Sequence, residues 1–258
     1  MKRRDFIKVA VAAGGGLVGT GMLGTGDVLA ETSVGDEKKT TKRALVVYAS
    51  RTNNTAKVAE RFKSTLEKNE WQCDIYRIKQ NSDPMEFPYK LKEYDLVCAG
   101  SGVRMHSPYA ELLHVLRVPV YGFDPRIMLK STEGMELTEE EKKKMQAAMS
   151  SRAGSGRHRK MVLGPNAGKA FSFVTYGGHE YGPKEALPAL EWINLELAHL
   201  EVEIVGKFCC PGKFENTNNP SGYHNDLTTR PNEKDLMRAE LFIEQVLEDI
   251  AERPSRSV

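Results

Sequence analysis

The chain has 258 residues, of which 40% are hydrophobic and 28% are charged, which is the composition of an ordinary globular protein without collagen-like or low-complexity bias. Residues 1–30 contain four basic and two acidic residues, a balance of +2 that equals the formal net charge of the whole chain, so the remainder is nearly neutral. A neutral remainder excludes a general attraction to nucleic acid, and neither nucleic acid nor stable membrane insertion of the main body is expected.

The first 30 residues differ in composition from the rest. A basic segment is followed by a Gly-, Ala- and Val-rich stretch and by small residues ending at Ala30, the order found in export signals. The Arg3-Arg4 pair with the following x-Phe-Ile-Lys resembles the twin-arginine export motif. We therefore expect a twin-arginine (Tat) signal peptide at 1–30, a polar linker at 31–43, and a periplasmic or other extracytoplasmic location. An uncleaved membrane anchor, a Sec signal and a chance basic N-terminus are the alternatives.

From residue 44 onwards, five short apolar segments alternate with helical patterns. A continuous apolar run is typical of a parallel strand covered on both faces. The predicted strands are residues 44–48, 71–78, 94–100, 170–175 and 202–208. The predicted helices are a segment around residues 58–66, a segment opened by Pro108, and residues 138–149, 184–200 and 231–251.

This alternation predicts an α/β fold with a doubly wound, five-stranded parallel sheet in the order 2-1-3-4-5. The domain is expected to span residues 44–252, with an inserted segment at about 119–168, before strand four. Such sheets bind ligands where the strand order reverses, at the carboxyl ends of strands one, three and four.

A loop rich in hydroxyl and amide groups separates the first predicted strand from the first predicted helix. It contains Ser50, Thr52, Asn53, Asn54 and Thr55. A helix N-terminus offers free N–H groups and partial positive charge to an anion, and both asparagines tolerate the left-handed backbone of a tight loop. The loop has neither the lysine of a P-loop nor a GxGxxG pattern, so it predicts a site for a terminal monophosphate. A Ser/Thr-rich helix cap without a ligand is the alternative.

The pattern Ser50-x-Thr52-Asn53-x-Thr55 resembles the flavodoxin phosphate loop, [S/T]-x-T-G-x-T, with Asn53 in place of the usual glycine. Segments 100–108 and 175–182 are similar to the two loops that surround the flavin in that family. Segments 208–213 and 230–236 also look like those of bacterial flavodoxin-domain proteins. The resemblance covers roughly residues 44–118 and 169–250, and it implies one non-covalently bound FMN.

The resemblance also implies roles for individual residues. The loop residues from Ser50 to Thr55 would hold the phosphate. Gly102 would allow the peptide reorientation that offers a carbonyl to the flavin N5, and Arg104 near the ring would raise the reduction potential. Tyr176 or Tyr181 would stack on the ring, with an ordinary buried aromatic as the alternative. The expected flavin-loop residues are Ser101, Gly102, Val103, Arg104, Thr175, Tyr176, Gly177, Gly178 and Tyr181.

The four cysteines suggest buried thiols more than a redox centre. Cys73 and Cys98 lie inside predicted strands, where free thiols are usual. Cys209 and Cys210 are adjacent, so they are expected to be two free thiols, with a vicinal disulfide as the alternative. Neither the cysteine spacing nor the six histidines fit a metal-binding pattern, and no metal is expected.

The inserted segment and the loops leave three functions open. Lys142 to Lys160 contains seven basic residues and no acidic one, which indicates a solvated face or a docking patch for an acidic redox partner or NAD(P)H. The first hypothesis is an FMN-dependent electron carrier acting outside the cytoplasm. The second is an FMN-dependent NAD(P)H:quinone-type oxidoreductase whose insertion closes over the flavin. The third is a flavin-free binding module. No catalytic residue and no oligomeric state is assigned.

Overall fold

Six strands form the sheet. The computed structural model describes residues 41–153, 168–177, 182–213 and 229–252, all within a compact unit at Thr40–Val258. The strands are β1 (Arg43–Ala49), β2 (Gln72–Ile78), β3 (Leu96–Arg104), β4 (Ser107–Pro108), β5 (Lys169–Tyr176) and β6 (Glu203–Pro211). Five of them are parallel in the order β2-β1-β3-β5-β6, and the short β4 pairs antiparallel with β3. The predicted order 2-1-3-4-5 is therefore confirmed.

Six α-helices lie among the described residues. They are α1 (Asn54–Lys68), α2 (Ala110–Tyr121), α3 (Pro125–Thr132), α4 (Glu139–Ala153), α5 (Leu187–His199) and α6 (Glu233–Glu252). The five predicted helices are confirmed, with shifts of a few residues at their ends, whereas α3 and β4 were not predicted. Three-residue 3₁₀ turns at Pro84–Glu86 and Leu91–Glu93 occupy the connection from β2 to β3. None of the helices described is long and apolar enough to cross a membrane.

The alternating side chains of the strands produce two hydrophobic cores, one on each face of the sheet. In β1, Leu45 and Val47 belong to the core covered by α2 and α5, whereas Val46 and Tyr48 belong to the core covered by α1 and α6. All four side chains are buried. A strand that is buried on both faces reads as a continuous apolar run, which explains why β1 is recognisable from sequence.

An aromatic cluster forms the centre of the core between the sheet and the α1/α6 pair. The Phe62 ring makes edge-on contacts with Phe171, Phe173 and Phe208 at centroid separations of 5.3, 5.0 and 5.5 Å. The Phe242 ring of α6 lies 6.1 Å from the same ring. Because Phe62 is fully buried and contacts two strands and one helix, it links the elements of this core.

The carboxyl end of β3 differs from the prediction. The strand was expected to end at Gly100, with a loop beginning there, but it continues to Arg104 and turns back through Met105 and His106 into β4. Both turn residues have positive φ, 49° and 64°. The sequence Gly100-Ser101-Gly102 suggested a loop, but here glycine serves close packing inside the sheet.

The described part of the inserted segment, residues 119–153, lies at the edge of the sheet opposite the carboxyl ends. Helix α2 begins beside β4 at the carboxyl edge, so its last residues and those of α5 lie at the amino edge. A cavity of about 1130 Å³ is located there, lined by the ends of α2 and α5 together with α3 and α4. Arg126 of α3 forms an ion pair with Asp83, 3.1 Å away, in the β2–β3 connection. The described part of the insertion therefore does not cover the carboxyl edge.

We expect Phe62→Ala to lower the free energy of unfolding by about 3–5 kcal/mol, because it opens a cavity among the surrounding rings. Urea denaturation followed by far-UV circular dichroism measures this. Leu241→Ala in α6 is the control, since that side chain is 58% exposed, and it should change the unfolding free energy by about 0.5 kcal/mol or less. Equal effects of the two substitutions would contradict the aromatic core.

Candidate functional site

The loop between β1 and α1 begins the site at the carboxyl edge. Asn53 immediately precedes α1 and has φ 62° and ψ 2°, the left-handed conformation. The prediction that an asparagine takes this backbone in place of glycine is confirmed for Asn53, whereas Asn54 is already the first residue of the helix. The left-handed residue turns the chain sharply from the strand into the helix, which presents the helix N-terminus at the end of the sheet.

Arg77, at the end of β2, holds the outer side of this loop. Its guanidinium donates to the Asn53 side-chain oxygen at 2.8 Å and to the Ser50 carbonyl oxygen at 2.7 Å. Both acceptors are uncharged. The Asn53 side chain is thus engaged with a protein partner, and its contribution to an anion site is conformational.

Asn54 joins the loop to the end of β6. Its side-chain nitrogen donates to the Lys213 carbonyl oxygen at 2.8 Å and to the Thr52 hydroxyl at 2.9 Å. A Cβ atom at Gly212 would lie 2.8 Å from that nitrogen, so glycine is needed for this close approach. The Asn54 side chain therefore fixes the loop and points its donors at the protein.

Thr55 joins the loop to β5. Its hydroxyl lies 2.8 Å from the Thr175 hydroxyl, and both residues are buried. Two residues predicted to bind different parts of one ligand thus contact each other. The contact fixes the first turn of α1 against the centre of the sheet.

Ser50 and the helix N-terminus remain available for a ligand. The Ser50 hydroxyl is buried and has no hydrogen-bond partner among the residues that the structure describes. The first backbone bond into the helix runs from the Lys57 N–H to the Asn53 carbonyl, so the N–H groups of Asn54, Thr55 and Ala56 have no intrahelical acceptor. Thr52 accepts a bond from Asn54, which leaves its own hydroxyl proton free to donate. These donors belong to one loop and the helix N-terminus that follows it, which suits an anion.

On the β3 side of the crevice, the Ser101 hydroxyl and the space beside Gly102 are occupied by contacts within the protein. The Ser101 hydroxyl accepts from the Tyr109 N–H and donates to the Gly102 carbonyl, both at 2.8 Å. A Cβ at Gly102 would lie 2.8 Å from the Tyr109 ring. Gly102 pairs with Thr175 inside the sheet, so reorienting its peptide would break the hydrogen bond from Ser101.

The hairpin after Gly102 projects from the carboxyl edge. Val103 is half-buried against the core under α2 and α5, and Arg104 is exposed opposite Ser107. Met105, at the turn, is 84% exposed. The hairpin offers an apolar side chain and a cation to whatever binds at this edge.

On the β5 side, Tyr176 is the last residue of the strand. The Tyr176 ring is only 6% exposed and belongs to the core under α2 and α5, as the buried-aromatic alternative expects. Burial raises the pKa of Tyr176 to about 12, and Cys209 and Cys210 nearby add to this. Gly177 follows, half-buried, whereas Gly178 and Tyr181 lie outside the described residues.

The two adjacent cysteines are free, as predicted, and the strand explains why. β6 continues to Pro211, so its side chains alternate: Cys209 contacts the core under α2 and α5, and Cys210 belongs to the opposite core. Thiols on opposite faces of a sheet cannot form a disulfide without breaking the strand. Burial raises the pKa of both thiols.

The start of α6 completes this edge. Asn232 and Asp235 bond reciprocally, since the Asn232 N–H donates to the carboxylate at 3.0 Å and the Asp235 N–H donates to the amide oxygen at 3.2 Å. Arg230 forms a two-pronged ion pair with the same buried carboxylate. Lys213 N–H donates to the Arg230 carbonyl at 2.8 Å. The segment that Asn54 contacts is therefore itself fixed to α6.

Comparison with solved structures agrees with this topology. A flavone reductase has a TM-score of 0.50 at 8% identity, over 84% of this chain and 65% of that chain. A flavodoxin from the domain Archaea has a TM-score of 0.43 at 14% identity, covering 81% and 99%. The general stress protein 14 of Treponema denticola, solved in complex with FMN, has a TM-score of 0.43 at 9% identity, covering 79% and 99%. The order of the five parallel strands, with helices on both faces of the sheet, is that of the flavodoxin-like fold.

At such low identity these likenesses show the fold alone. No family model matches the chain, and no curated protein matches it. Within the flavodoxin-like fold, the crevice at the carboxyl ends of β1, β3 and β5 is the place where the predicted loop residues meet. Among the described residues, no group of three or more histidine, cysteine or acidic side chains is arranged to hold a metal ion.

The basic run of the insertion is less cationic than its sequence suggests. Lys142 pairs with Glu139 at 2.6 Å, and Lys144 pairs with Glu140 at 2.7 Å, both within α4. The acids just before the run neutralise its first lysines. Arg157, Arg159 and Lys160 lie outside the described residues, as do the flanking residues 154–167.

Sequence reasoning assigned no role to four residues that shape the site. Arg77 and Gly212 fix the loop, and Tyr109 covers Gly102. Arg51 stacks over the Tyr109 ring at 4.3 Å and pairs with Glu111 at 3.0 Å. Only their positions in the sequence could have indicated these residues, because each lies near the end of a strand or the start of a helix.

We expect all four thiols to react slowly with iodoacetamide in the folded protein at about pH 8, because burial raises their pKa values above the ordinary ~8.5. Cys209, which is half-buried, should react first. Raising the pH should accelerate the reaction of Cys73, whose pKa burial raises to about 12, since more thiolate forms. Mass spectrometry counts the labels. Fewer than four labels per chain in denaturant without reductant would reveal a disulfide and contradict this account.

Proposed function

We propose that this protein binds FMN non-covalently at the carboxyl edge of its sheet and transfers electrons outside the cytoplasm. The single observation that carries the proposal is the buried Ser50 hydroxyl, which has no partner among the described residues, in the loop that leads to the N–H groups of α1 without an intrahelical acceptor. A buried polar group without a partner destabilises a folded protein, and in a loop that leads into a helix N-terminus a bound phosphate would supply the missing bond.

The residues present fit the phosphate of FMN. A dianionic phosphate needs several convergent donors, and the loop provides two hydroxyls, at Ser50 and Thr52, and the N–H groups that open α1. The first turn of α1 contains no acidic residue that would repel the phosphate. Asn53, Asn54 and Thr55 keep these donors in place through their bonds to Arg77, Lys213 and Thr175.

Bound FMN would supply the redox chemistry, since a flavin accepts and donates electrons singly or in pairs. The protein's own residues would bind and orient it. Arg104 and the exposed Met105 lie on the hairpin at the same edge, where a ring extending from the phosphate loop would contact them. A cation near the ring would favour its reduced, anionic form.

The position of the insertion favours an electron carrier over an enzyme with a lid. The oxidoreductase hypothesis expected the insertion to close over the flavin, but its described part lies at the amino edge. A crevice that residues 119–153 of the insertion leave uncovered suits exchange of electrons with a protein or a quinone that docks at the surface. An FMN-dependent NAD(P)H:quinone-type oxidoreductase remains the second candidate, and the inference below bears on it.

The extracytoplasmic location in this proposal is supported by the N-terminal sequence. Arg3-Arg4 and the following Phe6-Ile7-Lys8 resemble a twin-arginine signal, and that pathway exports folded proteins with their cofactors already bound. The partner that we propose is a redox protein or a quinone/NAD(P)H couple, with no nucleic acid.

We expect Ser50→Ala to weaken FMN binding by about 10- to 150-fold, because one hydrogen bond to a charged group contributes about 1.5–3 kcal/mol. The stability of the flavin-free protein should be unchanged or raised, since a buried hydroxyl without a partner disappears. Quenching of flavin fluorescence measures the affinity, and urea unfolding measures the stability.

Ser172→Ala is the matched control for this experiment. Its hydroxyl is also buried and without a partner among the described residues, but it lies in the middle of β5, away from the loop. It should leave FMN affinity unchanged while affecting stability in the same direction. A colourless full-length protein that takes up no FMN would overturn the proposal. The flavin-free binding module would then be the remaining hypothesis.

For export, replacing Arg3 and Arg4 by lysine should leave the protein in the cytoplasm, because the paired arginines are the recognised feature of the signal. Cell fractionation and immunoblotting measure the distribution. The control is Lys8→Ala, which retains both arginines and should still be exported. Normal export of the double-lysine variant would rule out the twin-arginine pathway.

A further inference from the structure

A basic pocket lies beside the phosphate loop, on the side facing β2. It has a volume of about 370 Å³ and is bounded by the carboxyl ends of β1 and β2 and by the start of α2. We call it the β2-side pocket. The residues that matter for its chemistry are Ser50, Arg51, Arg77, Lys79, Tyr109 and Glu111.

The pocket carries an excess of two positive charges. Its ionised groups are the cations Arg51, Arg77 and Lys79 and the single carboxylate of Glu111. Glu111 pairs with Arg51 at 3.0 Å. Arg77 donates to an amide oxygen and a carbonyl oxygen, which are uncharged, and Lys79 is exposed. Two cations in one concave site, uncompensated by a carboxylate, attract an anion with two negative charges.

The side chains are held where an anion would meet them. The Arg51 guanidinium stacks over the Tyr109 ring, 4.3 Å from its centroid, which fixes the plane of its donors. The two hydrogen bonds of Arg77 fix its guanidinium against the loop. A planar guanidinium held in this way matches the geometry of a phosphate better than a mobile one.

Ser50 lies in the wall shared by the pocket and the phosphate loop. It lines the pocket and belongs to the loop whose helix N-terminus we assign to the FMN phosphate. The two anion sites are therefore neighbours that share Ser50. A ligand with two phosphates, or two ligands with one each, would satisfy both.

We propose that the β2-side pocket binds a second phosphate group next to the one held by the phosphate loop. This inference rests on the proposed flavin site. Two sources present such a group: the second phosphate of FAD, if the flavin carries an adenylate, and the 2′-phosphate of NADPH, if a nicotinamide nucleotide donates the electrons. In both cases the basic side chains of the pocket would recognise a phosphate group.

Lys79→Ala in the full-length protein tests this, because Lys79 lies outside the hydrogen bonds that hold the loop. FMN and FAD are titrated separately into the flavin-free protein, with fluorescence as the readout. NADP⁺ and NAD⁺ are titrated into the FMN-loaded protein by calorimetry. Lys92→Ala is the matched control, since it removes the same charge from an exposed position just before β3, at the amino edge.

If the pocket takes the second phosphate of FAD, Lys79→Ala should weaken FAD binding about three- to tenfold and leave FMN binding unchanged. If it takes the 2′-phosphate, the same loss should appear for NADP⁺ and not for NAD⁺. Either loss of affinity should be smaller at high salt, because salt screens the interactions of exposed charges. Lys92→Ala should change none of these affinities.

Two results would overturn the inference while leaving the flavin site intact. One is unchanged binding of all four nucleotides by Lys79→Ala. The other is an equal loss of FMN and FAD affinity, which would make the pocket part of the first phosphate site. A wild-type protein that binds no flavin at all would instead overturn the proposed function.

Discussion

Hydrogen bonds to residues in β2, in β5 and just after β6 hold the loop between β1 and α1, and the candidate site depends on them. Arg77 of β2 binds Asn53, Thr175 of β5 binds Thr55, and the Lys213 carbonyl after β6 binds Asn54. Free N–H groups bind an anion well only when the backbone carrying them is already rigid, since a mobile loop would lose entropy on binding. The sheet thus preorganises its own anion site.

The sequence predicted the sheet because each parallel strand is buried on both faces and therefore appears as an apolar run. It predicted a left-handed backbone at Asn53 because few residues other than glycine accept a positive φ. It did not predict the partners of Asn54 and Thr55, which lie 159 and 120 residues further along the chain. Local patterns carry no information about such pairings, so hydroxyl and amide side chains that fix the loop looked like ligands.

Two other differences have a common cause. The Gly100-Ser101-Gly102 segment suggested a loop, yet its residues pair with β1 and β5, because the space for a side chain above Gly102 is taken by Tyr109. The insertion suggested a lid, yet it follows α2, whose length of 12 residues takes the chain about 18 Å along the sheet. What each segment covers depends on where it begins in the folded protein. That position is set by the tertiary structure and not by the local sequence.

The cysteines of β6 bear on where the protein can work. Because Cys209 and Cys210 face opposite cores and Cys73 and Cys98 are buried, the folded chain has the same covalent structure in a reducing and in an oxidising compartment. Its stability therefore requires no oxidative maturation. A chain of this kind can complete its tertiary structure on one side of a membrane and keep it unaltered on the other.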